Sequence, residues 1–534
     1  MKTKYILLAA LLAAISVDAQ TQYDAYRFSE SELNGTARFV GMGGAMGALG
    51  ADISVIGTNP AGLALFRKHD VSTSFSFNST QVRSDFTGIS MKEKKNIMSY
   101  DQIGFVFSAK IGNNTNLRYL NFGFNYHKSN NLNKIFSSRG FLDGLSQTWQ
   151  MANMMGPTDR QLSEDEQREI DDIYKYGDID GLPNPYKNEN YPYLGVLGVR
   201  TGLVGISKDG YLIGWNGDEN YYFSREEGGI HQYDFNVSFN VQDKMYFGMT
   251  LGVYDVDYIR TTLYEESIYD GPHEGYYQLY NTHGTSGRGI DLKLGAIFRP
   301  IEDSAFRFGF AIHTPTWYTL TDTYNSSIYS EINYQDIDEN GNPEDKHEKI
   351  NEDVSDYVYG ETIQDYKLST PWKFNLNMGT AFGSKVALGA EYEFAAYNHS
   401  KLYYYDGYEM TEQNQYINED VKGVHTLRLG LEARVIPSFC VRAGYNLSSQ
   451  AFKQTAYKAL SYNDMRTDVE YNNKYRQNTV TLGLGYAGRI FYADLAYKYS
   501  VYKSDFYPFS DPSLEPARLT NERHQALLTL GVHF

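Results

Sequence analysis

The sequence predicts an all-β protein: a 14-stranded antiparallel barrel that spans a membrane. Three observations predict this fold. Apolar and polar residues alternate at about 14 places, the links between these segments are short and long in turn, and the chain begins with an export signal. A strand with one buried face points its side chains alternately to two sides, so a period of two is its signature.

The export signal occupies residues 1–19. Lys2 and Lys4 give a positive start, an apolar stretch follows, and Val17-Asp18-Ala19 is a small-x-small cleavage site. Cleavage there leaves Gln20 as the first residue of the mature chain. The longest apolar run has 12 residues, whereas a spanning helix needs about 20, so no helix is expected to cross a membrane.

The composition excludes several other classes of protein. With 48 tyrosines among 534 residues, the chain has ample aromatic surface to bury, which argues against disorder. The net charge of −17 argues against nucleic-acid binding, which requires basic surface. Cys440 is the single cysteine, so an intramolecular disulfide framework and a multi-cysteine zinc site are both excluded.

The links between the alternating segments separate a membrane barrel from a soluble sandwich. Short links lie near residues 112–114, 242–243, 300–304, 383–384, 437 and 487–488. Long links cover roughly 81–100, 129–229, 265–283, 321–364, 406–421, 451–473 and 506–519. In an up-and-down barrel this order places every long loop at one rim, as in outer-membrane barrels. The chain also ends on a strand whose last residue is Phe534, which resembles the terminal strand of such barrels.

The stretch before the first strand does not fit a barrel wall. Residues 20–68 contain a glycine-rich segment in which small residues separate medium-sized apolar ones. This pattern predicts a compact plug, or hatch, inside the lumen of a barrel formed by residues 69–534. A dinucleotide fingerprint is rejected, because no strand and acidic residue follow the glycines at the required spacing.

The hatch resembles that of a known family. Asn59-Pro60-Ala61-Gly62 directly precedes the first strand, and with the glycine-rich segment it resembles the FadL/TodX family of outer-membrane transporters for hydrophobic compounds. Residues 313–318 and 369–374 also look like segments of this family's members. The resemblance implies a hatch inside a 14-stranded barrel, an apolar ligand pocket between the loops and the hatch, and an exit through the wall at the third strand. Gly123, on that strand, is the candidate lateral opening; a packing site for the hatch is the alternative.

The loop at residues 129–229 carries the candidate ligand contacts. An apolar set on residues 138–156 predicts a helix that presents Trp149, Met151, Met154 and Met155. A capping box at Ser163 predicts a second helix. Flexible methionines suit a low-affinity mouth for an apolar ligand, but the helices could equally pack on the barrel rim.

No catalytic constellation is found, so we expect no enzyme activity, no cofactor and no metal site. The segment from Asp336 resembles a calcium loop, yet His347 stands at the twelfth position, where a glutamate is needed. An exposed acidic turn is therefore favoured over a weak cation site. The 11 histidines are scattered and form no recognisable haem site.

These observations predict a monomeric, multi-pass protein of the outer membrane of a Gram-negative bacterium. Its expected role is passive uptake of a hydrophobic compound, with long-chain fatty acids or similar lipids implied by the resemblance. Its expected partners are that small molecule, the lipid of the membrane and the barrel-assembly machinery, with no nucleic acid. The alternatives are a general porin, a haem or other ligand receptor, and an adhesive surface barrel.

Overall fold

The computed structural model describes residues 19–113, 115–188, 190–271, 273–337, 343–460 and 463–534. The predicted signal peptide lies outside the described residues apart from Ala19. The acidic turn that resembles a calcium loop also falls largely outside them, because residues 338–342 are not described.

The described residues form a closed barrel of 14 antiparallel strands, as the sequence predicts. The strands are β1 Asp70–Phe86, β2 Ile89–Lys110, β3 Leu117–Asn131 continued by Lys134–Phe141, β4 Gly217–Val241, β5 Met245–Asp270, β6 His273–Phe298, β7 Arg307–His313 continued by Trp317–Ile337, β8 Thr362–Ser369 continued by Lys373–Phe382, β9 Val386–Ala395 continued by Lys401–Tyr404, β10 Val424–Ile436, β11 Phe439–Ser448, β12 Tyr471–Ala487, β13 Phe491–Tyr507 and β14 Ala517–His533.

The barrel closes where β14 pairs with β1. The register runs from Asp70 opposite His533 to Asp85 opposite Arg518. Beyond the last strand, the backbone N–H of His69 donates to the carbonyl of Phe534 at 3.1 Å. The first and last strands are therefore joined along their whole length.

The two faces of the wall differ in chemistry. Outward side chains such as Phe105, Leu294 and Leu484 are about half exposed, although they are apolar. The residues at the inward positions between them are largely glycine or polar, and they are buried against the hatch. An apolar outer band around a polar interior is the construction of a membrane-spanning barrel of the outer-membrane type.

Several links predicted to be long are instead hairpins. Residues 81–100 continue β1 and β2 in register up to a tight turn at Thr87 and Gly88. Residues 265–283 likewise extend the β5–β6 pair. These extensions were missed because their outward side chains, such as Lys92 and Lys94, are polar once the strands leave the apolar band. A further strand, Pro343–Asp353, folds back on the upper half of β7.

The hatch consists of short elements inside the lumen. They are α1 Gln22–Ser29, α2 Ala37–Gly41 and two 3-10 helices, Ile53–Gly57 and Pro60–Leu65. Small polar side chains start them: Thr36 accepts from the backbone N–H of Phe39 at 3.1 Å, and Asp52 accepts from that of Ser54 at 2.9 Å. Most residues of this segment are buried, and several lie directly against inward-facing glycines of the wall.

The external loop between β3 and β4 forms a cap. It begins at residue 142 rather than 129, because β3 continues to Phe141. It contains the two predicted helices, α3 Gln147–Met155 and α4 Glu164–Tyr174, and a third, α5 Tyr193–Arg200. Two later helices are α6 Ser355–Val358 and α7 Thr411–Asp420. None of the helices in the described part of the chain has the length and apolarity needed to span a bilayer.

Candidate functional site

Asn59 holds the end of the hatch against the wall. Its side chain is fully buried, and its Oδ1 accepts from the N–H of Ala61 at 3.1 Å, which starts the second 3-10 helix. Its Nδ2 donates to Oδ1 of Asn377 on β8 at 2.7 Å and to the carbonyl of Ala296 on β6 at 3.4 Å. One side chain therefore fixes both the local turn and its place in the barrel.

The other residues of the predicted motif pack on the same part of the wall. The carbonyl of Pro60 accepts from Asn236 of β4 at 3.3 Å, and Ala61 is fully buried. A Cβ added at Gly62 would stand 2.6 Å from Cγ2 of Val55. The motif thus packs the hatch on itself and on the wall, and its effect on transport stays a prediction.

A row of inward-facing glycines lets the hatch backbone approach the wall closely. Four of them are in register across four strands: Gly379 opposite Gly389, Gly389 opposite Gly430, and Gly430 opposite Gly444. A Cβ on Gly389 would overlap the carbonyl oxygen of Ala45 in the hatch. Sequence reasoning missed this row, because glycine at inward positions gives no apolar or charged signal.

Replacing Gly389 by alanine should displace the hatch. The added methyl group collides with hatch backbone, and overpacking of this kind costs about 1–3 kcal/mol. We expect greater protease sensitivity of the hatch and a higher ion conductance in planar bilayers. Gly205→Ala is the control, since a Cβ at Gly205 meets open space; equal behaviour of the two variants would contradict the close contact.

Partly buried ion pairs hold the middle of the hatch. Arg38 donates to Glu432 of β10 at 3.0 Å, and Glu432 also accepts from Arg442 of β11 at 2.7 Å. Arg442 is bound in turn by Asp494 of β13 at 2.5 Å. The charges are therefore matched within the hatch–wall contact, as burial requires.

The wall is incompletely paired between β2 and β3. Their ladder ends at Gln102 opposite His127, and β3 bulges between Lys128 and Asn130 before its break at residues 132–133. Above this level the described residues show no ladder between the two strands. This unpaired stretch lies on β3, the strand that carries the candidate opening Gly123, but Gly123 lies below it.

Gly123 itself lies in continuous sheet. It pairs with Val106 on one side and Asn236 on the other. A Cβ there would overlap Cδ2 of Leu63 in the hatch. This geometry supports the packing alternative for Gly123, and an opening at that residue stays a prediction.

The candidate ligand contacts of the external loop lie within or against the core of the cap. Met151 is fully buried and Met155 nearly so, and both pack on α5 at Gly195 and Gly198. The other two candidates, Trp149 and Met154, are half-buried. For the two buried methionines the packing alternative is therefore the one that the geometry supports.

The capping box of α4 has the predicted geometry. Ser163 Oγ accepts from the N–H of Glu166 at 3.3 Å, and the Ser163 N–H donates back to Oε2 of Glu166 at 2.7 Å. Hydrogen bonds from Arg160 and then from Ser163 lower the pKa of Glu166 to about 2. The carboxylate therefore stays charged wherever the helix is exposed to neutral water.

A second loop, of which residues 449–460 and 463–470 are described, folds into the lumen over α1. Arg466, which is 1% exposed, binds Asp24 of α1 and Asp468 of the loop. Gln22 donates to the carbonyl of Tyr457 in the same loop at 2.7 Å. Burial raises the pKa of Asp464 in this loop to about 8. The first helix of the hatch is thus held from the external side.

A cavity of about 260 Å³ lies between residues 23–33 of the hatch, the inner face of the barrel wall and the loop that follows β11. Seven acidic and nine cationic side chains line it, although the chain as a whole carries a net charge of −17. Aromatic rings stand between the charges. The cationic side chains are Arg27, Lys134, Arg260, Arg428, Lys458, Arg466, Lys474, Lys498 and Arg523, and the aromatic ones are Tyr23, Tyr26, Phe136, Tyr222, Tyr397, Phe452, Tyr471, Tyr502 and Phe506.

This lining differs from the apolar pocket that the resemblance implies. Strand side chains supply most of it, and inward positions of these strands are polar. Among the described residues, no group of His, Cys, Asp and Glu side chains is placed to hold a metal ion.

Comparison with known proteins rests on the fold. No family model matches the chain, and no curated protein matches its sequence. A FadL homologue from Pseudomonas aeruginosa is 11% identical, covering 94% of this chain and 99% of the homologue, with a TM-score of 0.50. The chain has the FadL fold.

Two further structures are similar to this chain. The toluene transporter TodX of Pseudomonas putida is 11% identical, covering 94% of this chain and 99% of TodX, with a TM-score of 0.46. The toluene transporter TbuX of Ralstonia pickettii is 13% identical over the same shares, with a TM-score of 0.43. These structures show the fold, whereas the residues of the site described above come from the structure of this chain.

Proposed function

We propose that this chain is a passive transporter in the outer membrane of a Gram-negative bacterium, and that it takes up a small hydrophobic or amphipathic molecule. The observation that carries the proposal is the closed lumen: a hatch fills it, and a small cavity with aromatic and charged walls remains above the hatch. A barrel of this kind passes a molecule that binds inside it, and it does not form an open channel for water and ions.

The cavity supports a ligand of modest size with one polar end. Its volume of about 260 Å³ is near the lower end of ligand pockets. Aromatic rings offer apolar contact, while cations such as Lys498 offer a place for a negative group. A fatty acid or a similar lipid has this combination.

The proposed route has three steps. The external loops capture the molecule, the cavity above α1 holds it, and a rearrangement of the hatch releases it. The gap between β2 and β3 is the proposed exit, because the wall lacks ladder hydrogen bonds there and residues 130–132 of β3 line the cavity.

The alternatives fit the site less well. A general porin needs an open aqueous lumen, whereas most residues of the hatch are buried inside this one. A haem receptor most often offers a histidine as axial ligand, and the residues that line the cavity include tyrosines but no histidine.

Asn59→Ala tests the proposal. The change leaves the buried Oδ1 of Asn377 without its donor, which costs about 1–3 kcal/mol. The hatch should then no longer be held in one position against the wall. Uptake of a labelled fatty acid should fall while surface abundance stays near normal. Asn96→Ala, at an exposed position on β2, is the control. Unchanged uptake in the Asn59 variant would contradict a role for the hatch in transport.

A further inference from the structure

The outer face of the wall carries a group of cations above its apolar band. Strands β13, β14, β1 and β2 are neighbours, because the barrel closes between β14 and β1. Residues that lie opposite one another on these strands form rungs across the wall. The outward cations, here called the basic patch, are Arg83, Lys92, Lys94 and Lys503, and all of them are exposed.

The strand register brings the basic patch together. Arg83 of β1 lies opposite Lys92 of β2 on one side and opposite Thr520 of β14 on the other. Thr520 in turn lies opposite Lys503 of β13, so these three cations share one rung. Lys94 follows on the same side of β2, in the next rung toward the membrane. The four side chains therefore project from one continuous area of the wall.

The apolar band ends a short distance below the basic patch. Phe77, Met98 and Tyr497 are exposed and lie in one rung, which belongs to the band. The next rung upward contains His524 and Tyr499. Tyrosine is enriched where a bilayer meets water, so this rung marks the upper boundary of the hydrocarbon region.

The height of the basic patch matches the position of lipid headgroups. Lys94 and Lys92 come four and six residues from Met98 along β2. With a rise of about 3.3 Å per residue and a strand tilt of about 40°, they stand about 10 and 15 Å above Met98. The headgroup region of one leaflet is roughly 5–8 Å thick, and the long side chain of lysine bends toward a preferred environment. The cations therefore reach the headgroups of the outer leaflet.

Ion pairs do not neutralise the basic patch, since none of its four cations forms one with a described residue. The adjoining rung above holds Asp85 and Asp505, with Arg518 between them. The adjoining rung below holds Glu522, which accepts a hydrogen bond from Gln81 at 2.7 Å. The positive charge of the patch is thus available to an anion from outside the chain.

Another side of the wall has the reverse charge at a similar height. Asp255, Asp257 and Glu265 occupy outward positions of β5, in the same alternation as the exposed Leu251 lower on that strand. Arg288 of β6 lies opposite Asp255 and pairs with it at 3.6 Å. With a net charge of −17 for the whole chain, the basic patch is a local feature and not part of a generally basic surface.

We propose that the basic patch binds the headgroup phosphates of an anionic lipid in the outer leaflet, whose acyl chains lie on the apolar band below. Clusters of about four or more cations beside a bilayer attract anionic headgroups, and arginine binds phosphate through two parallel hydrogen bonds. A lipid is favoured over a soluble phosphate compound, because the patch continues directly into the lipid-facing band. The inference goes beyond the proposed uptake, since it concerns the outer face of the wall and holds whatever the lumen transports.

Binding of a phosphorylated lipid to the purified full-length protein tests the proposal. The protein in dodecyl maltoside is titrated with diphosphoryl lipid A or with its dephosphorylated form, and bound lipid is counted by native mass spectrometry. A variant in which Arg83, Lys92, Lys94 and Lys503 are all replaced by glutamine should bind the diphosphoryl lipid about a hundredfold more weakly, because each cation near an anionic surface contributes roughly a fivefold gain. Its weak binding of the dephosphorylated lipid should not change.

The charge-matched control replaces four exposed cations of the external loop by glutamine: Arg168, Lys175, Lys187 and Lys208. Heat-modifiable migration on a gel checks that each variant is folded. If the fourfold patch variant does not fold, Lys92→Gln with Lys94→Gln should still weaken binding about tenfold.

Three results would overturn the proposal. The first is equal binding of the two lipids by the unaltered protein, and the second is an equal loss of binding in the patch variant and the control. The third is displacement of the diphosphoryl lipid by an equal concentration of inorganic pyrophosphate, which would mean that the patch binds soluble phosphates. The account expects pyrophosphate to compete only at a far higher concentration, because it has no acyl chains to place on the apolar band.

Discussion

A chain that lacks residues 21–58 but keeps its export signal should fold into an open barrel. These residues supply the buried contacts that fill the lumen, while the 14 strands pair with one another without them. We expect the deletion to give large, steady single-channel conductance and to let small sugars swell liposomes. The full-length chain should give neither.

The full-length chain carrying Asn96→Ala, an exposed change on β2, serves as the control for expression and insertion. A deletion barrel that folds, as judged by heat-modifiable migration on a gel, and yet stays closed would contradict the account. In that case residues other than the hatch would obstruct the lumen.

Two aspartates on the outer face of β14 should prevent membrane insertion. Leu528 and Leu530 point outward and are more than two-fifths exposed in the isolated chain. A lysine or arginine that faces lipid near the middle of the bilayer costs about 2–4 kcal/mol, and an aspartate costs less. Because two aspartates act on the same strand, Leu528→Asp with Leu530→Asp should abolish the heat-modifiable folded form. Isoleucine at the same two positions is the matched control. Normal folding of the aspartate variant would mean that the faces of the strand are assigned the wrong way round.

The sequence was sufficient for the strand count and the faces of the wall. Outward residues such as Leu484 are apolar at every second position, and this alternation does not depend on what packs against the inner face of the strand. The upper halves of the strands were not predictable in this way. Above the membrane the outward face is polar, so Lys92 and Lys94 of β2 looked like loop residues.

The sequence indicated close packing of residues 20–68, but it did not indicate which residues they contact. Glycines between medium apolar residues indicated close packing, and Asn59 followed by Pro60 indicated a fixed turn. The partners of Asn59 lie more than two hundred residues away on β6 and β8. A single sequence contains no signal that pairs such positions.

The candidate site was predicted least well. Trp149 and the methionines near it were chosen because an apolar set on an external loop needs an apolar contact, and the cap core supplies that contact for Met151 and Met155. The cavity walls are strand side chains such as Lys474 and Lys498, which are ordinary inward residues in the sequence. Only closure of the barrel brings them together around the hatch.

The most direct test of the central claim compares two solutes in one preparation. Liposomes that contain the full-length protein are supplied with a labelled fatty acid and, separately, with small sugars in a swelling assay. The account predicts saturable, protein-dependent uptake of the fatty acid and no swelling with sugars, because the hatch closes the lumen to water-borne solutes. Swelling with sugars without uptake of the fatty acid would contradict it and would identify the barrel as a porin.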